Sequence, residues 1–279
     1  MLAGLALLSS LMWGTADFLG GKLSKRFAPI AVTGVSQIFG LLTGLVLLLV
    51  TKGWLHPTLS FNGYFVNGVI AGITGFIGIV SYYAGLSTGK MGVIAPITSL
   101  SAVIPLIYGL AKGEAPSTLQ FAGMVVALTG CFMASGPEAK NGVSAKPLFL
   151  GILTAVMFGI TMVFMARGSR TGSLLTMTSM RVTTVLVVLV IGVVVGSGGG
   201  FARSDIPMLI TIGAADFLAN VTLGIATTKG LISVALVLGS LFPVVTTILA
   251  YKYLCERMQR IQYVGAILAV AGVALISIG

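Results

Sequence analysis

The chain consists of long apolar stretches separated by short polar ones. Because a bilayer core is about 30 Å thick and an α-helix rises about 1.5 Å per residue, roughly 20 apolar residues cross it. The qualifying stretches run approximately over 2–20, 29–51, 64–88, 92–111, 118–135, 147–166, 173–196, 206–228, 231–254 and 261–278. The pattern predicts an all-α polytopic membrane protein with ten transmembrane helices.

The two halves of the chain show a weak internal repeat. The segment 120–123 (Gln-Phe-Ala-Gly) matches 262–265 (Gln-Tyr-Val-Gly) at an offset of 142 residues. We therefore predict a first five-helix repeat over 1–136, a linker over 137–146 and a second five-helix repeat over 147–279. Because five is an odd number, two homologous halves insert with opposite orientations, and such inverted repeats are typical of secondary transporters.

Composition supports a membrane protein and excludes several other classes. Apolar types make up 57% of the chain and charged types only 8%, against roughly 25% charged residues in soluble domains. A soluble enzyme, a disordered chain and a nucleic-acid module are excluded; the net charge of +10 comes from scattered basic residues that suit loops beside lipid headgroups. With one histidine, two cysteines and no nucleotide-binding motif, we expect no metal site, cofactor or catalytic activity.

Several short motifs together resemble one transporter family. They are Leu11-Met12-Trp13-Gly14, Gly113-Glu114, Ser240-Leu241-Phe242-Pro243 and Cys255-Glu256-Arg257, with the repeated 120–123 and 262–265 segments. Five plus five helices with these motifs resemble the EamA family of the drug/metabolite transporter (DMT) superfamily. The resemblance implies that helices 1–4 and 6–9 surround a cavity, that helices 5 and 10 pack outside it, and that both termini are cytoplasmic. The excess of basic residues in the odd-numbered loops indicates the opposite orientation, and we follow the resemblance.

Two acids lie inside predicted helices, where an ionisable group costs roughly 2.5–3.5 kcal/mol and is by default a functional candidate. Asp17 lies one helical turn after Trp13, so that both could face one cavity. Asp216 lies near the middle of helix 8 and shares a face with Asn220. Either acid could bind a substrate cation or exchange a proton; the alternatives are interfacial exposure for Asp17 and a structural hydrogen bond for Asp216.

The other candidate binding residues are one arginine and two polar side chains. Arg181 lies within helix 7 and needs a carboxylate or an anion as partner; it could pair with Asp216 or Asp17, bind a substrate carboxylate, or reach the headgroups. Gln37 and Tyr82 could line the cavity or anchor the interface.

Weaker patterns are interpreted as structural. Glu114 and Glu256 recur at the repeat offset before a helix and should satisfy helix N-termini. Five methionines between positions 157 and 180 are expected mainly to pack, although they could form an adaptable cavity wall. The identity between 16–19 and 215–218 (Ala-Asp-Phe-Leu) has a different offset and is interpreted as chance.

The sequence favours a secondary transporter of the plasma (inner) membrane. We expect it to move a small polar or amphipathic metabolite (amino-acid-like, amine or drug-like) by alternating access, with export favoured and protons as a possible coupling ion. The expected partners are this solute and the lipid bilayer, in a monomer or homodimer. A lipid-moving protein and a non-transporting membrane scaffold or sensor stay open as alternatives.

Overall fold

The computed structural model describes residues 1–57, 59–87, 94, 97–135, 145–195, 200–254 and 259–279. Within these ranges the regular elements are helical, with short 3-10 turns at Leu100–Ala102 and Arg203–Asp205. The helices are α1 (Leu2–Ser24), α2 (Pro29–Thr51), α3 (Tyr64–Ser87), α4 (Val103–Ala111), α5 (Thr118–Ala134), α6 (Ala145–Val195), α7 (Ile206–Thr227), α8 (Ile232–Gly239), α9 (Phe242–Leu254) and α10 (Arg260–Ile278).

The described helices are those of a multi-pass membrane protein. Seven helical stretches in the described part are long and apolar enough to cross a bilayer, and the apolar helices Ile97–Ala111 and Thr118–Ala134 are shorter. The predicted all-helical class is therefore confirmed.

The longest helix, α6, is two antiparallel arms. Its backbone leaves the helical conformation at Gly172 (φ 171°, ψ 105°), which separates an arm over 145–171 from one over 173–195. A Cβ placed on Gly75 of α3 would lie 3.1 Å from Met180 Cε and 3.3 Å from Thr161 Cγ2. These two residues are 19 positions apart, so the arms lie side by side against α3.

The repeated glutamine begins a helix in each half. At α5, the Ser117 N–H donates to Gln120 Oε1 at 3.0 Å, and the Ser117 hydroxyl accepts from the Gln120 N–H. At α10, the Gln259 N–H donates to Gln262 Oε1 at 2.7 Å. Each glutamine thus satisfies a backbone donor that the first helical turn leaves unpaired, which explains why the sequence has glutamine at both positions.

Helices α5 and α10 pack backbone against backbone through glycines. A Cβ on Gly130 would lie 2.3 Å from the Ala269 nitrogen, and a Cβ on Gly272 would lie 2.4 Å from the Ala127 nitrogen. No side chain larger than hydrogen fits at these distances. The pairs run in opposite directions along the two helices, which are therefore antiparallel.

Glu114 joins the two halves of the chain. Its carboxylate accepts the backbone N–H of Ile232 at 2.7 Å and of Ser233 at 2.9 Å, and so caps the first turn of α8. The predicted role of Glu114 is confirmed. Its repeat counterpart Glu256, together with Cys255 and Arg257 and most of the predicted linker (137–144), lies outside the described residues.

Replacing Gly130 with alanine should weaken the α5–α10 contact. The added methyl group meets backbone and forces the helices apart, and overpacking of this kind costs about 1–3 kcal/mol, or about 2–4 °C of Tm per kcal/mol for a chain of this size. Gly4→Ala is the matched control, because a Cβ at Gly4 meets nothing within 4 Å. The Tm of this variant therefore reports only the gain in helix propensity. Thermal unfolding in detergent measures both; equal Tm values for the two variants would contradict the close contact.

Candidate functional site

A cavity lies among the helices. Helices α1, α2, α3, both arms of α6, α7 and the first residue of α9 contribute to its wall. The lining residues are Trp13, Asp17, Gln37, Gly75, Phe76, Ile79, Phe158, Thr161, Met162, Met165, Met180, Arg181, Asp216, Asn220 and Phe242. Six of the seven predicted binding residues are among them.

Asp216 of α7 is the centre of a hydrogen-bond network. Its Oδ1 accepts from Trp13 Nε1 at 3.0 Å and from Asn220 Nδ2 at 3.2 Å. Its Oδ2 accepts from Gln37 Nε2 at 3.1 Å and from Arg181 Nη2 at 2.6 Å. Side chains from α1, α2, α6 and α7 therefore converge on a single carboxylate, and both of its oxygens are fully engaged.

Arg181 is buried rather than extended to the lipid headgroups. The residue is only 3% exposed. Besides its ion pair with Asp216, its Nη1 donates to Gln37 Oε1. Its Nε is buried without a partner in the described part of the chain and lies against Gly40 of α2, where a Cβ would come within 3.3 Å of it. Of the partners considered from the sequence, the structure pairs Arg181 with Asp216.

Asp17 is the second acid of the cavity and differs sharply from the first. It is 6% exposed and lines the cavity on the same face of α1 as Trp13. Within the described part of the chain, its carboxylate forms neither a hydrogen bond nor an ion pair, whereas Asp216 accepts four hydrogen bonds from side chains. A buried carboxylate without a partner is costly unless it binds a proton or a cation.

Tyr82 does not lie where the sequence interpretation placed it. Its ring packs behind the cavity wall, 6.0 Å from the Phe158 centroid and 6.4 Å from the Phe242 centroid, and it is not a lining residue. The preceding turns of α3 supply the lining instead, with Gly75, Phe76 and Ile79.

The sequence interpretation missed the aromatic wall. Phe76, Phe158 and Phe242 line the cavity together with Trp13, and Trp13 meets Phe242 edge to face at 5.9 Å. One signal was available, because Phe158-Gly159 corresponds loosely to Trp13-Gly14 in the internal repeat. The Ser-Leu-Phe-Pro motif contains Phe242 and indicates the family in the sequence, but it does not indicate that this ring lines a cavity.

Three of the clustered methionines also contribute to the wall. They are Met162, Met165 and Met180, whereas Met177 lies in a buried apolar cluster. Some of these methionines therefore form part of the cavity wall, because their positions around the helix direct them towards the cavity.

The two Ala-Asp-Phe-Leu segments lie on helices that pack together. Helix α1 contacts α7, and the aspartates of both segments line the cavity. The segments are not repeat equivalents, but they place one acid each on facing helices.

The lining combines charged, aromatic and thioether groups. Within the described ranges, no group of three or more histidine, cysteine or acidic residues could hold a metal ion. The cavity offers instead one neutralised ion pair, one unpaired carboxylate, aromatic rings and thioethers.

Comparisons with known proteins agree with this architecture. The model of the EamA-like transporter family matches twice, over residues 2–136 and 145–278. A solved crystal structure superposes with a TM-score of 0.81 at 17% sequence identity, over 99% of this chain and 96% of the other; at this identity the likeness concerns the fold. A search of curated proteins finds no match. Since the two family matches span nearly the whole chain, it belongs to the EamA-like transporter family of the DMT superfamily.

Proposed function

We propose that this protein is a secondary transporter of the plasma membrane that moves a small polar or amphipathic solute by alternating access. The observation that carries the proposal is the cavity between helices of both halves, with charged and polar side chains at its centre. Energy would come from a solute or ion gradient, and export is the direction favoured by the family resemblance. Three features of the molecule support this reading: the symmetry of its contacts, the number of its spans and the contacts at its two ends.

The contacts between α5 and α10 support an inverted repeat. Adding 142 to Gly130 gives Gly272, and subtracting 142 from Ala269 gives Ala127. The contact of Gly130 with Ala269 is therefore repeated by Gly272 with Ala127. Self-complementary contacts of this kind arise at a two-fold axis. Because the helices are antiparallel, the axis is perpendicular to them and lies in the plane of the membrane.

The helix segments are consistent with ten spans. The two arms of α6 count as two, and α8 and α9 together form one apolar stretch over Ile232–Tyr253. With α1, α2, α3, the helix over Ile97–Ala111, α5, α7 and α10, this gives five spans in each half. Near the centre, Gln37 hydrogen-bonds Arg181, a residue 144 positions later and so close to its repeat equivalent.

Two arginine contacts close opposite ends of the helix bundle. Before α2 begins, Arg26 Nη1 forms an ion pair with Asp205 Oδ1 at 3.2 Å. Next to it, the rings of Phe27 and Phe201 pack at a tilt of 49° with their centroids 4.6 Å apart. We call this the carboxylate latch.

After α2 ends, at the other end of a helix about 34 Å long, Arg167 Nη2 donates to the Phe61 carbonyl at 3.2 Å. Its guanidinium also lies 4.6 Å from the Phe61 ring centroid and 5.6 Å from that of Phe164. We call this the aromatic latch. Arg26 and Arg167 are 141 positions apart, so the two latches are near-equivalents under the repeat. Alternating access requires each end to open in turn, and each latch is a contact that opening would break.

The proposal is tested by transport in proteoliposomes. Solutes that raise the Tm of the purified protein would be tested for uptake with and without a pH gradient. Gly75→Leu should lower uptake about tenfold or more, because the side chain enters the cavity and displaces the solute. Gly4→Leu is the control, since nothing lies within 4 Å of a Cβ there.

The alternatives predict different results. Movement of labelled phospholipids, with no uptake of any soluble metabolite, would identify a lipid-moving protein. Ligand binding with no flux in either direction would indicate a sensor and would overturn the transport proposal.

Weakening the latches should open opposite ends of the molecule. In Asp205→Asn, hydrogen exchange should rise around residues 24–30 and 200–206; in Arg167→Gln, it should rise around 55–63 and 164–172, because each variant loses a contact at one end only. Mass spectrometry of peptides from deuterated protein measures this. Arg203→Gln is the control, as a basic residue near the first end that belongs to neither latch. Increased exchange at both ends in either variant would contradict separate gates.

A further inference from the structure

The charged groups of the cavity do not balance. Among the described residues, its lining contains two carboxylates, Asp17 and Asp216, and one guanidinium, Arg181, as the charged groups. Asp216 and Arg181 neutralise each other in an ion pair of 2.6 Å. When Asp17 is ionised, the described lining therefore has a net charge of −1. Because Asp17 is only 6% exposed, its charge requires a positive partner.

The positive charge of the Arg181 guanidinium is already neutralised by Asp216. Its Nη2 is bound to Asp216 and its Nη1 to Gln37. Its Nε is buried against Gly40. A substrate carboxylate would meet a guanidinium whose charge is already neutralised, in a cavity whose described lining is negative when Asp17 is ionised. This charge balance disfavours anions, and it offers the carboxylate of a zwitterion no unpaired cation.

The remaining wall suits a cation with an apolar body. Four rings, those of Trp13, Phe76, Phe158 and Phe242, border the same space as Asp17. The negative face of an aromatic ring attracts an ammonium group, most strongly in a desolvated site. Three methionine thioethers complete the wall; their flexible side chains adapt to apolar groups of different shapes.

We propose that the cavity binds a monovalent organic cation, an amine with an aromatic or aliphatic body, through an ion pair with Asp17, and that a proton occupies Asp17 when the amine is absent. This inference rests on the proposed transport function and names its substrate class. As the ammonium ion binds, the O–H bond of the Asp17 carboxyl breaks and its proton leaves to water. When the ammonium ion departs, a proton returns to the same oxygen. One positive charge is exchanged for another.

The groups around Asp17 single it out for this exchange. Asp216 and Arg181 face it across the cavity. From α3, the hydroxyls of Tyr82 and Tyr83 are buried and have no hydrogen-bond partner among the described residues. A proton binding to Asp216 would have to disrupt the contact with Arg181, whereas a proton binding to Asp17 disrupts no described contact.

The test is ligand binding to the purified full-length protein in detergent. The probes share one ring and differ in charge: 2-phenylethylamine and benzyltrimethylammonium (cations), 2-phenylethanol (neutral), 3-phenylpropanoate (anion) and phenylalanine (zwitterion). Titration calorimetry should show binding of both cations, with the other three at least about tenfold weaker, since close charge pairs contribute this much or more. Repeating the titration in buffers of different ionisation enthalpy should show proton release when a cation binds.

Three variants separate charge from structure. Asp17→Asn should lose cation affinity by at least about tenfold and release no proton, yet melt at the same or a higher temperature, because it removes an unpaired buried charge. Asp17→Glu should keep both cation binding and proton release. Glu138→Gln removes a carboxylate from the segment between the two family matches and is the matched control, with unchanged binding.

Three results would overturn the inference. They are unchanged cation affinity in Asp17→Asn, preference of the wild-type protein for the anion or the zwitterion, and no binding of either cation. Failure of the transport proposal is distinguishable, because binding is measured without flux. Cation binding without uptake in liposomes would support the cation site and overturn the transport proposal. Uptake of a solute that is not a cation would support transport and overturn the cation site.

Discussion

The buried ion pair between Asp216 and Arg181 is the interaction on which the centre of this protein depends. An ionised group within the hydrocarbon region is costly, and either partner alone would be an uncompensated charge. Together, and with Gln37, Trp13 and Asn220 as hydrogen-bond partners, they form a network that fixes four helices around one point. The network also determines what the cavity can recognise. The network engages both oxygens of Asp216 and neutralises the charge of Arg181, so that Asp17 is the unpaired charged group among the described lining residues.

Around this polar centre, the helices are held by close contacts between small residues. Lipid tails are as apolar as leucine, so burial of apolar surface contributes little to helix association in a membrane, and close packing contributes more. Gly130 and Gly272 permit backbone contact between α5 and α10. Such a rigid pair outside the cavity would let the helices around the solute move, while the proposed symmetry axis stays in place.

Much of the fold followed from the sequence, because membrane crossing imposes a length and a polarity that are visible in one dimension. The repeated glutamines were recognisable as a repeat, and Glu114 as a cap for a helix N-terminus. The sequence did not show that the helix capped by Glu114 begins 118 residues later, because that contact depends on how the two halves pack. The candidate site was only partly predictable. The cost of burying Asp17, Asp216 and Arg181 marks them in any sequence, but aromatic and apolar side chains such as Phe158 and Tyr82 carry no such cost. Whether they face a cavity or a neighbouring helix depends on packing angles that only the three-dimensional structure provides.

The cap that Glu114 provides for α8 has a consequence for biosynthesis. The acceptor is translated 118 residues before the first backbone group it binds. During co-translational insertion, the amino-terminal half therefore enters the bilayer before the Glu114 carboxylate has these hydrogen-bond partners. The backbone N–H groups of Ile232 and Ser233 then lack their acceptor until the two halves pack together. Completion of the first turn of α8 thus becomes a late step of assembly, because it needs both the amino-terminal half and the chain as far as Ser233.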